Sequence, residues 1–144
     1  MSQNKENINK LVVNIFNNIM QEEESELIVG EFKNISVNDM HIIEAIGMDE
    51  PKNMSKIASI LNITVGTLTI AINNLLKKGY VVRRRSEKDR RVVFISLSEL
   101  GERAYEHHKR YHEKIVKRLT EDLEDEEVAV LQKALGHMAE KLEK

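Results

Sequence analysis

The stretch KKGYVVRRRSEKDRR, residues 77–91, decides the fold of this chain. It holds eight of the chain's 22 lysines and arginines but only two of its 24 acidic residues, so its net charge is +6 in a chain of net charge −2. The segment starts at the end of a helical pattern, contains a turn and continues into an alternating apolar stretch, which predicts a basic β-hairpin beside a helix. DNA phosphates bind where positive charge is concentrated locally, whatever the net charge of the whole chain, so this pattern indicates duplex DNA as the partner.

The composition bounds the class of protein. A chain of 144 residues with 41% apolar and 32% charged residues suits one globular domain. The absence of cysteine excludes disulfides, a thiolate nucleophile and a cysteine-rich zinc cluster. No apolar run is long enough to span a bilayer and the first ten residues are polar, so we expect a soluble, cytoplasmic protein without membrane association. One proline and six glycines favour a mostly helical chain.

Two short helical patterns precede the hairpin. Residues 54–61 and 64–78 each place apolar side chains on one face, and only Asn62 and Ile63 separate them. Asparagine tolerates the left-handed conformation that so tight a turn requires. With strands predicted at 80–85 and 92–97, the order is a helix-turn-helix followed by a two-stranded wing.

The helical patterns at the two ends carry more apolar surface than one small domain needs. Residues 8–20 form a wide apolar stripe, and the last helix has apolar residues spaced 3, 4, 3 and 4 apart, a heptad seam that requires a partner helix. We therefore predict a homodimer. The predicted dimerisation residues are Ile8, Leu11, Ile15, Leu131, Leu135, Met138 and Leu142.

The second helix of the helix-turn-helix begins with residues of poor helix propensity. A glycine costs about 1 kcal/mol against alanine, and β-branched residues add to that cost. Thr64 as the N-cap explains one residue, and close approach of a phosphate or a base edge explains the others. The predicted DNA contacts on this helix are Thr64, Gly66, Thr67, Thr69, Asn73 and Lys77. The alternative is a helix-turn-helix used only for packing.

The hairpin carries five arginines. Arg83, Arg84 and Arg85 lie on its first strand, and Arg90 and Arg91 lie on its return. Asp89 is close enough to hold an arginine by a charge-assisted hydrogen bond, and an oriented arginine suits a narrow A·T-rich minor groove. The predicted wing contacts are Arg83, Arg85, Asp89, Arg90 and Arg91. The alternative is a solvated charge run, although such runs usually mix both signs.

These motifs together resemble the MarR family of winged helix-turn-helix regulators. The resemblance covers nearly the whole chain and depends on the stretches TVGTLT (64–69), NNL (73–75), KGY (78–80), DRRVV (89–93) and LSxxG (97–101). It implies a mainly α fold with a small β-hairpin wing and a dimerisation region built from helices at both termini. The single domain 1–144 would comprise a DNA-binding part, 35–98, and dimerisation helices at 1–34 and 99–144.

The same resemblance implies a homodimer that binds palindromic DNA. The second helix of each helix-turn-helix would enter the major groove, and each wing would enter the minor groove. By that pattern Asp89 orients an arginine, Arg91 is the inserted residue and Arg90 contacts the backbone.

Within the family, the chain is similar to repressors of fatty-acid-biosynthesis genes. The similar stretches are FNN (16–18), EEES (22–25), DMH (39–41), VGT (65–67) and the histidine-bearing helix around residues 108–112. This likeness implies that acyl-acyl carrier protein is a co-repressor whose acyl chain enters an apolar tunnel. Neither composition nor spacing indicates a lipid ligand. We expect a repressor that occupies a palindromic, A·T-rich operator.

Histidines support an alternative function, a zinc-responsive regulator. His108 and His112 lie four residues apart on one helical face, and a distant histidine and a carboxylate can complete a zinc site. Zinc-sensing MarR relatives are similar in using histidines in this part of the chain. The alternative zinc ligands are Glu24, His41, Glu106, His108 and His112. The competing explanation is that these are polar residues on charged helices.

Two further classes of protein, an architectural DNA-binding protein and an enzyme, fit the sequence less well. A sequence-neutral architectural DNA-binding protein is usually strongly basic overall, whereas this chain has a net charge of −2. An enzyme is not indicated, because no glycine-rich phosphate loop is present and no motif places a nucleophile beside a base.

Overall fold

The computed structural model describes residues 2–143 and confirms the predicted fold class, mainly helical with a small winged sheet. The elements are α1 (Gln3–Leu27), α2 (Val37–Ile46), β1 (Lys52–Asn53), α3 (Met54–Leu61), α4 (Val65–Lys77), β2 (Val81–Arg85), β3 (Val93–Leu97), α5 (Glu99–Thr120) and α6 (Asp125–Leu142). A short 3-10 helix, Gly30–Phe32, follows α1. The chain divides into two compact units, one ending at Lys109 and the other starting at Arg110 within α5. The domain boundaries inferred from the sequence stay a prediction.

The wing sheet has three strands, so the prediction of a two-stranded hairpin was incomplete. β2 pairs antiparallel with β3 from Val81 opposite Leu97 to Arg85 opposite Val93. β1 pairs with the other edge of β3, which gives the order β1-β3-β2. A strand of two residues that follows a proline has no detectable alternation, and its existence depends on the β3 edge beside it.

Short-range hydrogen bonds determine where the helices begin. Ser36 caps α2 in a reciprocal capping box with Asp39, over 3.0 and 3.1 Å. Thr64 caps α4 by accepting the Thr67 N–H at 3.1 Å. Gly79 follows α4 with φ +84°, a left-handed conformation that the absence of a side chain permits. Of these caps, Thr64 is the one that we predicted from the sequence, and serine at an N-cap and glycine after a helix are the residue types that such positions favour.

The core of the first unit lies between α2, α3, α4 and the sheet. Its fully buried side chains include Leu27, Met40, Ile42, Ile43, Ile46, Ile57, Leu68, Ile72, Leu75, Tyr80 and Ile95. Tyr80 donates its hydroxyl proton to Oδ1 of Asn34 at 2.8 Å, so its buried oxygen has a partner. Burial first, and then the carboxylates of Glu31 and Asp39, raise the pKa of the Tyr80 phenol.

The start of α5 packs against Gly79 and Tyr80, the two residues that precede β2. Ser98 donates its hydroxyl to the Gly79 carbonyl at 2.5 Å and accepts the Gly101 N–H at 3.1 Å. A Cβ on Gly101 would lie 2.1 Å from the backbone oxygen of Tyr80. Position 101 therefore requires glycine, and the Leu-Ser-x-x-Gly motif is the point where α5 meets the turn between α4 and β2.

No single helix among residues 2–143 is both long and apolar enough to cross a membrane; α3 and α4 pass that test of length and composition only when taken together as a bent pair.

Candidate nucleic-acid interface

α3 and α4 form the helix-turn-helix predicted from the sequence. Asn62 ends α3 in the left-handed conformation, at φ 55° and ψ 46°, and the Ile63 N–H donates to the Ala58 carbonyl at 3.0 Å. The two helices are bent by 106° relative to each other. This angle lies in the usual range of about 90–120° for the motif, so α4 is in the position of a recognition helix.

α4 has one buried face and one exposed face. Leu68, Ile72 and Leu75 are buried in the core. Every residue of α4 and its cap that was predicted to contact DNA is exposed, namely Thr64, Gly66, Thr67, Thr69, Asn73 and Lys77. These residues give the exposed face small polar side chains and a positive charge at its C-terminal end.

The threonines of α4 differ in what they can offer. Thr64 donates its hydroxyl to Oγ1 of Thr67 at 2.9 Å, and Thr69 donates its hydroxyl to the Val65 carbonyl at 2.8 Å. Two of the three hydroxyl protons are thus used inside the helix. Thr67 keeps a proton to donate, whereas Thr64 and Thr69 offer acceptor lone pairs and methyl groups.

Gly66 has no steric role inside the protein. A Cβ at this position would meet only Oγ1 of Thr64, at 3.9 Å, an ordinary contact. The backbone of Gly66 lies within the first turn of a regular helix, where alanine is favoured by up to about 1 kcal/mol. The protein therefore carries this cost without an internal packing reason.

Ile70 is a residue on this face that the sequence analysis did not single out. Its side chain is 75% exposed, although it lies in the middle of α4. Helical spacing of 100° per residue places it about half a turn from Leu68 and Ile72. The sequence signal was present, because isoleucine at 70 is out of phase with the apolar positions 68, 72 and 75.

The tip of the wing holds one arginine firmly. Asp89 accepts two hydrogen bonds from the Arg91 guanidinium, from Nε at 3.0 Å and from Nη2 at 3.1 Å, and a third from the Arg91 N–H at 3.1 Å. The Arg91 side chain nonetheless remains 91% exposed. Hydrogen bonds from the Arg91 side chain, and then from its backbone, lower the pKa of the Asp89 carboxyl.

The wing and α4 contact each other through their polar groups. Arg83 on β2 donates Nη1 to Oδ1 of Asn73 at 3.3 Å, and Arg85 donates Nη1 to the Arg90 carbonyl at 2.9 Å. A cleft of about 200 Å³ lies between α4 and the wing, with Thr69, Asn73, Arg83 and Arg85 among its lining residues. Of the predicted wing contacts, Arg83 and Arg85 thus adjoin α4, whereas Asp89, Arg90 and Arg91 lie at the wing tip.

The histidines predicted for zinc are only partly brought together. His41, His108 and Glu23 offer ligand atoms within 4.8 Å of one another, and His41 Nε2 lies 3.6 Å from Glu23 Oε2. His108 is 2% exposed, and its Nδ1 lies 3.5 Å from Glu44 Oε2. The carboxylate of this cluster is therefore Glu23, which the sequence analysis did not name.

Three of the predicted zinc ligands are not in that group. Glu24 is exposed, because one residue along α1 turns the side chain by about 100° from the buried position of Glu23. Glu106 lies two positions before His108 and so projects from another face of α5. His112 belongs to the second unit, where its ring makes an edge contact with Tyr111, with centroids 5.2 Å apart.

The predicted dimerisation residues are exposed in the single chain. On α1, Ile8, Leu11 and Ile15 are 50–59% exposed, and on α6, Leu131, Leu135, Met138 and Leu142 are 37–82% exposed. α6 has no buried residue within the described part of the chain. Each of these two helices therefore presents an uncovered apolar stripe.

Comparisons with known proteins agree with this architecture. The family that matches the sequence is described as the MarR family, and the match covers residues 35–93. The crystal structure of Streptococcus pneumoniae FabT in complex with DNA has a TM-score of 0.91 and 38% identity and covers 96% of each chain.

Curated relatives match over shorter stretches. They include an uncharacterized HTH-type transcriptional regulator of Bacillus subtilis, YpoP, which is 31% identical over 75 residues, 52% of this chain and 53% of that protein. The HTH-type transcriptional regulator SarZ of Staphylococcus aureus is 45% identical over 60 residues, 42% of this chain and 40% of that protein. The chain spans about half the length of the curated relatives it matches. Considering the similarity to FabT along almost the whole length, this chain belongs to the MarR family, whose members are transcriptional regulators and not enzymes.

Proposed function

We propose that this chain is a transcriptional repressor that occupies a palindromic, A·T-rich operator as a homodimer. The observation that carries the proposal is the continuous exposed surface of α4 and the wing, joined by the hydrogen bond from Arg83 to Asn73. Its polar helix face suits base edges in the major groove, and its arginines suit phosphates and a minor groove of negative potential.

Arg91 is the residue that we assign to the minor groove. Asp89 holds its guanidinium from the side, which restricts the rotamers of a long side chain before DNA is bound. Less side-chain entropy is then lost on binding. Arg85 bonds to the main chain of the wing, so we assign it to positioning the wing tip and to phosphate contact.

Homodimerisation is supported by the apolar stripes on α1 and α6. Uncovered leucines, isoleucines and methionines at heptad spacing are stabilised by a partner helix. Two copies would also present two α4 helices to half-sites about one DNA turn, roughly 34 Å, apart.

Control of fatty-acid-biosynthesis genes, with acyl-acyl carrier protein as co-repressor, is the finer part of the proposal. It is supported by the sequence stretches shared with such repressors and by the similarity to FabT over 96% of both chains. The discriminating measurement is operator affinity with acylated carrier protein against carrier protein that bears no acyl chain. The proposal predicts tighter operator binding with the acylated form only.

The function itself is tested by recovering the genomic DNA fragments that the purified protein retains and sequencing them. Fatty-acid-biosynthesis genes beside the fragments would support the pathway. Comparable affinity for a retained fragment and a scrambled duplex across a salt titration would favour an architectural protein instead.

Two variants test the assignment of the interface. Arg91→Ala should weaken operator binding and reduce the preference for a narrow minor groove. Lys77→Ala should weaken binding to all duplexes alike, and it should lower the slope of log affinity against log salt concentration by about one. Lys133→Ala on α6 removes the same charge and should leave both quantities unchanged. Unchanged affinity in Arg91→Ala would refute the role of the wing.

A second candidate function is regulation by a divalent cation, and the juxtaposition of Glu23, His41 and His108 supports it. Two imidazoles and a carboxylate are a ligand set that zinc accepts, with a fourth position open. Glu23 lies on α1 and His41 on α2, so a bound ion would link the N-terminal helix to the DNA-binding part.

Metal analysis after gentle purification, and operator binding with zinc against a chelator, test this candidate. His41→Ala should abolish both zinc binding and any zinc dependence, whereas His137→Ala on α6 should leave them unchanged. Zinc binding that persists in His41→Ala would exclude the cluster as the site.

A further inference from the structure

We infer that Ile70 reads a thymine methyl group in the major groove and thereby determines part of the sequence specificity. This inference rests on the proposed function and names a specificity residue within it. Ile70 is 75% exposed, more than any other large apolar side chain in the described part of the first unit. An isolated exposed apolar residue is ordinary on a protein surface, so the inference depends on where Ile70 lies.

Ile70 lies at the centre of the exposed face of α4. On a helical wheel it falls nearly opposite the buried positions Leu68 and Ile72, and Gly66 and Lys77 share its direction. Gly66, one turn before it, leaves open space, and Lys77, two turns after it, supplies positive charge. Whatever surface α4 meets must therefore contact Ile70.

The neighbours of Ile70 on this face are polar. Thr67 and Asn73 lie three residues to either side, and both are exposed. An apolar side chain in such a setting does not form a patch large enough to bury against another protein. A base edge that presents one methyl group among hydrogen-bonding atoms matches the arrangement.

Thymine supplies that combination. In the major groove only the A·T pair shows a methyl group, beside the O4 acceptor of thymine and the N6 and N7 atoms of adenine. Asn73 is a matched reader of adenine, and its Oδ1 accepts from Arg83, which orients the amide. Residues at i and i+3 are neighbours on a helix, so Ile70 and Asn73 can read the same or adjoining base pairs.

Isoleucine suits this role physically. A β-branched side chain in a helix keeps essentially one χ1 rotamer, so its apolar surface is already ordered before contact. Threonine or alanine at this position would present less apolar surface, and lysine would bring charge without selecting a base.

The test replaces each thymine of the operator half-site by deoxyuridine, symmetrically in both half-sites, and compares wild type with Ile70→Ala. Deoxyuridine removes only the methyl group. In wild type, one position should lose about fourfold in affinity per half-site, the effect expected for one buried methylene-sized group. Ile70→Ala should bind the unmodified operator more weakly and should show no further loss at that position.

Ile60→Ala is the matched control, because Ile60 on α3 is also an exposed isoleucine, at 53%. It should keep the full sensitivity to deoxyuridine. Unchanged thermal unfolding will show that neither variant perturbs the fold. If Ile70→Ala keeps the wild-type loss at every thymine, the inference is wrong while the proposed function stands. If wild type binds no duplex specifically, both fail.

Discussion

Arg83 on β2 and Asn73 on α4 share a hydrogen bond of 3.3 Å across the junction between the wing and the recognition helix. The bond leaves the Asn73 amide nitrogen free to donate and gives the flexible Arg83 side chain a defined direction. The wing and α4, which we propose to enter different grooves of DNA, are thereby coupled.

This coupling predicts non-additive effects on operator affinity. Asn73→Ala and Arg83→Ala should each cost about 1–3 kcal/mol of binding free energy, and the double variant should differ from their sum by at least about 0.5 kcal/mol. A double-mutant cycle, with operator affinities from fluorescence anisotropy, measures this interaction free energy. Lys77 and Arg91 form no hydrogen bond with each other, so the effects of Lys77→Ala and Arg91→Ala should be additive within about 0.5 kcal/mol. Additivity of the first pair would contradict the coupling.

The Asp89 carboxylate should titrate below the ordinary range of aspartate. The hydrogen bonds from Arg91 lower the pKa of Asp89 in the folded protein. The ion pair therefore stabilises the wing fully above the unfolded pKa of about 3.9. This stabilisation is lost as the pH falls through the lower pKa of the folded state. Carboxyl NMR shifts measure the titration. Arg91→Ala should raise the midpoint towards the ordinary value, whereas Arg90→Ala should leave it unchanged. An equal response to both variants would disprove the specific pairing.

Gly66→Ala should separate stability from DNA binding. The added Cβ has open space within the protein, so the free energy of unfolding should rise by up to about 1 kcal/mol. At the DNA surface the same methyl group should obstruct close approach and weaken operator binding by about 1–3 kcal/mol. Thermal unfolding and anisotropy on the same sample test both halves. A stabilised variant with full operator affinity would show that α4 does not approach DNA at this turn.

Gly101→Ala should have the opposite effect on stability. Its Cβ would lie 2.1 Å from the Tyr80 carbonyl oxygen and 3.2 Å from the Leu97 side chain, so the backbone must move. We expect a loss of about 1–3 kcal/mol or more in unfolding free energy, measured by chemical denaturation. Gly66→Ala serves as the control, because the same substitution there meets no close atom. Equal stabilities of the two variants would contradict the close packing of α5 on Tyr80.

Leu135→Lys should dissociate the proposed dimer. The substitution places a charge in the apolar stripe of α6, where Leu135 is 51% exposed in the single chain. Sedimentation velocity should show a monomer, and operator affinity should fall by about 10²-fold or more, because two linked half-sites become one. Gln132→Lys adds the same charge off the heptad seam and should remain dimeric. If Leu135→Lys stays dimeric with full affinity, α6 does not form the interface.

Features that depend on near neighbours in the chain were predictable from the sequence. Thr64 accepts the N–H of the third residue after it, and Asn62 adopts the left-handed conformation in the turn between α3 and α4. Asp89 accepts hydrogen bonds from the side chain two positions after it. Each interaction closes within one turn of backbone, so residue type and spacing determine it. The boundaries of α3 and α4 and the arginine-bearing hairpin could be inferred for the same reason.

Features that join distant parts of the chain could not be inferred in this way. The third strand of the sheet exists because Lys52 meets Ile95, and the histidine cluster uses Glu23 because that side chain, unlike Glu24, is turned inward where His41 lies. Gly101 is needed because Tyr80 lies against it. The exposure of Ile70 becomes meaningful only once the buried face of α4 is known.

The amino-acid sequence by itself determined the family, the helix-turn-helix with its arginine-bearing hairpin and the position of the positive charge, because periodicity, caps and charge runs are local properties. The tertiary structure alone decided which side chains meet across elements, such as Arg83 with Asn73 and His41 with His108. Packing brings Arg83 and Asn73 together from two different elements, and it brings His41 and His108 together over a long chain separation. The direction in which a helical side chain points also depends on the helix rotation, which one residue changes by about 100°.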